Sequence, residues 1–315
     1  MKSPLQCINC RGPLEVRYDR LHCSLCASEF PLNDGIADFS EGRYYDVFDP
    51  SLSVSEAHRI GLQNEAAGAE ARIRDFFLPL IGRPGDGREA RVLDSGCGNG
   101  ISVDLLSAAG VEAWGHDLSA LRKWQWRERR MRERLVVADA AKLPFSSGFF
   151  DLVISSGVIE HIGVAERANP LYSVTPLVGR DALRTSYLRE LLRVVRPGGR
   201  LIVDCPNGAF PIDFWHGDKA GGARWHSLGE GFLPTFGEVS RLARSADASA
   251  RVVSLSSHRR LRFQQVGAHW YGRLFAMPMA TLLRLMDLPG LRWLARSPLN
   301  PYLVVEITTS ANESR

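Results

Sequence analysis

Short apolar runs that close on a polar or acidic residue recur along the middle of the chain. Val92-Leu93-Asp94, Val111 to Ser119, Leu135 to Ala138 and Phe149 to Ile154 each read as a strand. Leu191 to Asn207 reads as a helix, a Pro197-Gly198-Gly199 turn and a further strand; Arg251 to Ser256 and Tyr302 to Thr308 read as the last two. Between the strands the period lengthens. Ile101 to Ala109 predicts a helix, and Ile60, Ala67, Ile73 and Phe77 recur at near-helical intervals from about Ser53 to Leu80, where Gly82 to Gly87 ends the run.

The first strand runs into Gly96, Gly98 and Gly100 at alternate positions. Glycines there let the chain turn sharply and let a ligand lie against main chain, with the amides of the following helix facing it. The spacing is not the G-x-G-x-x-G of a dinucleotide site. Asp94 stands two residues ahead of the loop, Asp117 closes the second strand, and Asp139 follows the third. Cys97, inside the loop, reads as a small packing residue rather than a nucleophile.

This D-x-G-x-G-x-G pattern, with both later acids and the Pro-Gly-Gly turn in order, resembles the class I S-adenosylmethionine-dependent methyltransferases. The resemblance implies a doubly wound, seven-stranded, mostly parallel α/β sheet of Rossmann-like type over residues 89–315. It also implies the cofactor contacts. Asp94, Gly96, Cys97, Gly98 and Gly100 would hold the cofactor against the main chain, with Asp117 and Leu118 at the ribose, Asp139 and Ala140 at the adenine, and Ser155 and Ser156 at the border between cofactor and substrate. No Pro-Cys or Asn/Asp-Pro-Pro-Tyr follows the fourth strand. The acceptor is therefore expected to be an oxygen, or a carbon or nitrogen handled without the Asn/Asp-Pro-Pro-Tyr clamp.

Composition describes an ordinary globular chain of 315 residues, 45% hydrophobic, with a net charge of +4, too small to imply nucleic-acid binding by itself. Four of six cysteines fall early, as Cys7-x-x-Cys10 and Cys23-x-x-Cys26. That spacing suits a closed four-thiolate zinc site, and a segment of about 40 residues needs the metal to fold. Residues 5–39 resemble the zinc ribbon of the tRNA-methyltransferase activator subunit, which implies a structural role or recruitment of a protein partner. The expected organisation is a ribbon over 1–40, a linker with a capping helix over 41–88, and the catalytic domain with insertions at about 206–236 and 258–300.

Arg122 to Arg134 holds seven basic residues against two acids, with Trp124 and Trp126 among them. It reads first as a solvated helix and second as an RNA contact. The insertion at 206–236 is dense in Trp, His, Asp and Gly, with Asp213, Trp215, His216, Asp218, Trp225 and His226 as candidate acid, base and stacking groups. His161, just past the fourth strand, is the first candidate general base for a hydroxyl acceptor, with His216 and His226 next. The insertion at 258–300 reads as an apolar helix pair covering the sheet or a dimer contact, with peripheral membrane binding for a lipid-linked acceptor as the sharper alternative. The function expected is methyl transfer to a small-molecule, glycan or lipid-linked acceptor. An RNA methyltransferase and a non-catalytic ribbon partner are the alternatives. No apolar segment long enough to span a membrane and no leader-like start points to the cytoplasm, with the inner membrane surface as the alternative.

Overall fold

In a computed structural model, residues 3–48, 68–82, 85, 87–167, 172–217, 223–261 and 270–309 are described, without the side chains of 270–276. The expected helix over 53–80 is seen from 68 onward, and its earlier part and Asp218 lie outside the described residues. The chain divides into two compact units, Met1–Ile154 with Glu190–Arg200, and Ser155–Arg189 with Leu201–Ala311.

The first unit begins with four short strands, β1 (Leu14–Arg17), β2 (Arg20–Cys23), β3 (Glu29–Asn33) and β4 (Ile36–Asp38), successively antiparallel. They lead into β5 (Arg91–Ser95), β6 (Glu112–Asp117), β7 (Leu135–Val137) and β8 (Phe150–Ser156). The order within the unit is β1-β2-β3-β4-β7-β6-β5-β8. β4 lies parallel to β7, with Ala37 opposite Val136 and Asp38 opposite Val137. The ribbon therefore continues the sheet edge. Arg11 fastens it further, donating to the Leu143 carbonyl at 2.5 Å and pairing with Glu190 at 3.2 Å. β5, β6 and β7 pair in parallel and are almost fully buried, as doubly wound sheets require. The helix over 68–80 contains a π-helical turn, Ile73–Phe77, that buries Ile73, Phe76 and Phe77. At the foot of β8, Asp151 accepts from Arg88 at 2.7 and 2.8 Å and from the Arg91 amide at 2.8 Å, and also pairs with Arg196. Burial pushes this carboxyl up, but the three arginine partners override it and hold it at about 2.

The second unit contains a hairpin that the sequence pattern did not announce, β9 (Val164–Arg167) with β10 (Ser173–Pro176). The helix Arg180–Val194 follows. β11 (Val195–Pro206) takes the Pro-Gly-Gly turn inside itself, with Gly198 at φ +72°. β15 (Tyr302–Thr308) lies antiparallel to β11 and to β14 (Arg251–Ser254), giving the order β11-β15-β14. The insertion at 206–236 carries the two-residue strands β12 (Ile212–Asp213) and β13 (Arg224–Trp225), a short turn at Leu228–Glu230, and then the helix Phe236–Ala246 under a capping box of Thr235 and Glu238. Among the described residues, the insertion at 258–300 has a helix, Trp270–Leu285, followed by tight turns over Pro289–Arg296. Leu283, Met286, Leu294 and Ala295 bury one face of it. Among the described residues no helix is long and apolar enough to cross a membrane.

Candidate functional site

The glycine loop lies wholly in the first unit. Gly96, Gly98 and Gly100 have φ of +77°, +55° and +75°, a region that costs other L-residues strain. Gly98 is held on both sides, its amide donating to Asp117 at 3.0 Å and its carbonyl accepting from the Trp126 indole at 2.8 Å. Asp117 also takes the Leu118 amide at 2.8 Å. A carboxylate has about four acceptor sites, so two remain for hydroxyls. Burial pushes the Asp117 carboxyl up, against the pull of the Gly98 amide and Arg122. Asp94 is bound by the Ser102 hydroxyl on the following helix, Ile101–Ala108. Asp139 is exposed and caps the turn at Ala141, and Ala140 lies beside it. A cavity of about 160 Å³ opens at Leu118 and Asp139, and the ribbon supplies Ile8, Phe39 and Ser40 to its walls, with Glu41 and Arg43 from the segment that follows it.

Several supports of this loop were not read from the sequence. Gly115 on β6 lies under it: a Cβ there would sit 2.8 Å from both Cys97 Sγ and Val103 Cγ2. His116 is buried between the Ser95 hydroxyl, 2.8 Å away, and the Ala138 carbonyl; burial brings its pKa down to about 4. Asp46 accepts from the Ser119 hydroxyl and the Ala120 amide, capping the helix Ala120–Gln125. Tyr44 is bonded to Asp38 at 2.6 Å, whereas Tyr45 is exposed. The solvated-helix reading of 122–134 needs correction as well. Trp126 is fully buried as the prop of Gly98, Trp124 packs on Phe48 at 5.3 Å, and the helix gives way to tight turns after Gln125.

Cys7, Cys10, Cys23 and Cys26 converge, with all four sulfurs within 4.8 Å of one another. Cys7 and Cys26 are 3.6 Å apart, and Cys10 and Cys23 are 3.4 Å apart. A tetrahedron with 2.3 Å bonds to zinc needs sulfurs about 3.8 Å apart. The Asn9 and Gly12 amides donate to Cys7 and Cys10, each at 3.4 Å, as they would to thiolates.

In the second unit, Ser155 bonds the Tyr187 hydroxyl, while Ser156 donates to Asp204 at 2.9 Å. Asp204 is fully buried and also binds Arg260 and the Tyr302 hydroxyl, both at 2.6 Å. Arg260 and Tyr302 come from distant segments, so no local pattern could reveal them.

Two of the three candidate histidines meet. The His161 and His216 rings lie 5.2 Å apart in an edge-on contact, beside Phe232. His161 Nδ1 is 2.6 Å from Glu166, which also accepts from Tyr172 at 2.5 Å. His216 Nδ1 is 3.0 Å from the fully buried Asp213, which Arg224 pairs with at 3.2 Å. Burial works to lower the His161 pKa, but Glu166 and the Glu160 charge reverse it and the net direction is up. His226 is elsewhere, its Nε2 tied to the Phe210 carbonyl at 2.6 Å. Trp215 packs on Tyr302 at 4.9 Å and Trp225 is exposed.

Residues 93–203 match the methyltransferase domain family Methyltransf_11. A demethylmenaquinone methyltransferase of Beutenbergia cavernae is 36% identical over 151 residues, 47% of this chain and 53% of that protein. An 18S rRNA (guanine-N(7))-methyltransferase of Bos taurus is 29% identical over 193 residues, 55% of this chain and 66% of that protein. A TehB-like methyltransferase structure from Corynebacterium glutamicum is similar with a TM-score of 0.45 at 18% identity, covering 81% of this chain and 97% of that one. The chain thus spans about half the length of the first of these relatives. Its central region is a methyltransferase domain on a doubly wound, mostly parallel sheet. More narrowly, the domain over residues 93–203 is of the class I S-adenosylmethionine-dependent type.

Proposed function

We propose that the protein transfers a methyl group from S-adenosylmethionine to a hydroxyl of a small organic acceptor. The observation that carries the donor half is the glycine loop pinned to Asp117, with acceptor capacity left on that carboxylate for the ribose. The donor is already activated, so the protein's task is alignment and exclusion of water. An electron pair of the acceptor oxygen forms the new C–O bond, and the pair of the breaking C–S bond returns to sulfur, leaving S-adenosylhomocysteine. The hydroxyl proton leaves to an imidazole or to water. His161 and His216, gathered with three carboxylates in the second unit, are the groups that act on the acceptor, and Phe232 and Tyr172 give that site an apolar side. His226 has no part in it.

The four cysteines hold zinc as a structural ion, since the two knuckle amides already satisfy thiolates and four sulfurs close the coordination shell. A small-molecule acceptor is favoured over RNA because, in the basic segment, Trp126 is buried, half-buried Trp124 packs on Phe48, and Arg127 and Arg129 pair with Asp34 and Asp104. The similarity to a demethylmenaquinone methyltransferase points the same way. The test is methyl transfer from radiolabelled donor to a quinone-precursor and metabolite extract and, separately, to total RNA. Label entering only RNA would reverse the choice, and failure to bind the donor in calorimetry would remove the enzyme reading altogether.

A further inference from the structure

Glu160 is 1% exposed, and its Oε2 has no hydrogen-bond partner among the described residues. A buried carboxylate oxygen left so is costly unless something completes it. One ligand atom each of Glu160, His161 and His216 lies within 4.8 Å of the others. Both imidazoles are engaged on the same atom: His161 Nδ1 with Glu166 at 2.6 Å, and His216 Nδ1 with Asp213 at 3.0 Å. That leaves Nε2 of each ring for another partner. A carboxylate on the far nitrogen is how metal-bound histidines are oriented and made better donors.

The surroundings are built to hold this arrangement. Arg184, 1% exposed, donates to the Glu160 carbonyl at 2.9 Å, the Ile162 carbonyl at 3.1 Å and the Phe232 carbonyl at 2.7 Å, fixing the Ile159–His161 turn. Tyr172 orients Glu166, and Arg224, bridging Asp213 and Glu230, orients the other carboxylate. With the imidazoles neutral, the four carboxylates Glu160, Glu166, Asp213 and Glu230 outweigh the two guanidinium charges of Arg224 and Arg184. A divalent cation balances them.

We infer that Glu160, His161 and His216 form a binding site for a divalent first-row transition metal ion, open on one side to the acceptor oxygen. Two imidazoles and one carboxylate select manganese, iron, cobalt or zinc over magnesium. This deepens the proposed acceptor chemistry and rests on it for the role of the open side. A metal-bound hydroxyl loses its proton to water near neutrality, so neither histidine need accept it.

Manganese(II) tests the site, because four thiolates do not favour it and the ribbon stays silent. Titration of the full chain followed by electron paramagnetic resonance should show one bound ion per chain. Glu160→Gln should weaken binding at least tenfold, and His216→Ala should abolish it. Donor binding, measured by calorimetry, should persist in both variants, which separates loss of ligands from loss of fold. Wild-type protein that takes up neither manganese nor cobalt beyond the four-cysteine site overturns the inference. So does unchanged manganese affinity in His216→Ala. Absence of donor binding in the wild type would instead sink the methyltransferase reading and leave the metal measurement standing.

Discussion

Replacing Gly115 by alanine puts one methyl group beneath the donor loop. The position pairs with Asp94 across β5 and β6 and has ordinary strand backbone, so the effect is steric only. The new Cβ would lie 2.8 Å from Cys97 Sγ, 2.8 Å from Val103 Cγ2 and 3.0 Å from Cys97 Cβ. Normal carbon contacts begin near 3.5 Å, so one or both neighbours must move by about 0.7 Å. Val103 is fully buried and cannot give way freely, whereas Cys97 lies in the loop between two glycines. Overpacking of this kind costs about 1–3 kcal/mol. For a unit of this size that lowers the melting temperature by about 2–4 °C per kcal/mol. Because the relief comes from the loop, affinity for S-adenosylmethionine should fall by about 5- to 150-fold, the equivalent of the same energy. Thermal melting and calorimetric titration measure the two effects. Adding Val103→Ala should restore part of both, as expected of residues in contact. A Gly115→Ala protein that melts within 1 °C of wild type and binds donor within twofold refutes the packing argument.

Asp117→Asn removes the charge that holds the Gly98 and Leu118 amides and should weaken donor binding about 10- to 100-fold, since hydrogen bonds to charged groups are worth about 1.5–3 kcal/mol; isothermal calorimetry checks this. Cys23→Ser should lose zinc, read as metal content per chain. Because β4 pairs with β7 at the ribbon's end, the same variant should lower the first melting transition, and an unchanged melt would mean that the ribbon contributes nothing to the sheet. His116 stays neutral in the fold, with a pKa of about 4 against 6.5 unfolded. Above pH 6.5 both states are neutral and nothing is lost. As pH falls toward 4 the unfolded chain takes the proton first, so stability declines, by about 2–3 kcal/mol at pH 4.5. Urea midpoints at pH 7 and 4.5 should show this slope, and His116→Asn should flatten it.

The strands of the methyltransferase core were legible because burial on both faces leaves near-continuous apolar runs, and the glycine loop because positive φ demands glycine at Gly96, Gly98 and Gly100. The cysteine knuckles were legible because their ligands are close in sequence. Trp126 was misread since a buried tryptophan and an exposed one look alike in a basic segment. The insertions were the least legible, because short strands such as β12 and β13 have no periodicity and depend on partners elsewhere.

By itself, then, the sequence determined the donor loop with its acids and the thiolate set of the ribbon, features whose chemistry is local. Tertiary structure alone decided that β4 joins β7, that Gly115 and Trp126 brace the loop, and that Glu160, His161 and His216 come together under Glu166 and Asp213. Residues as far apart as 160 and 216 meet only when a fold closes the chain between them, and neither spacing nor composition records that closure.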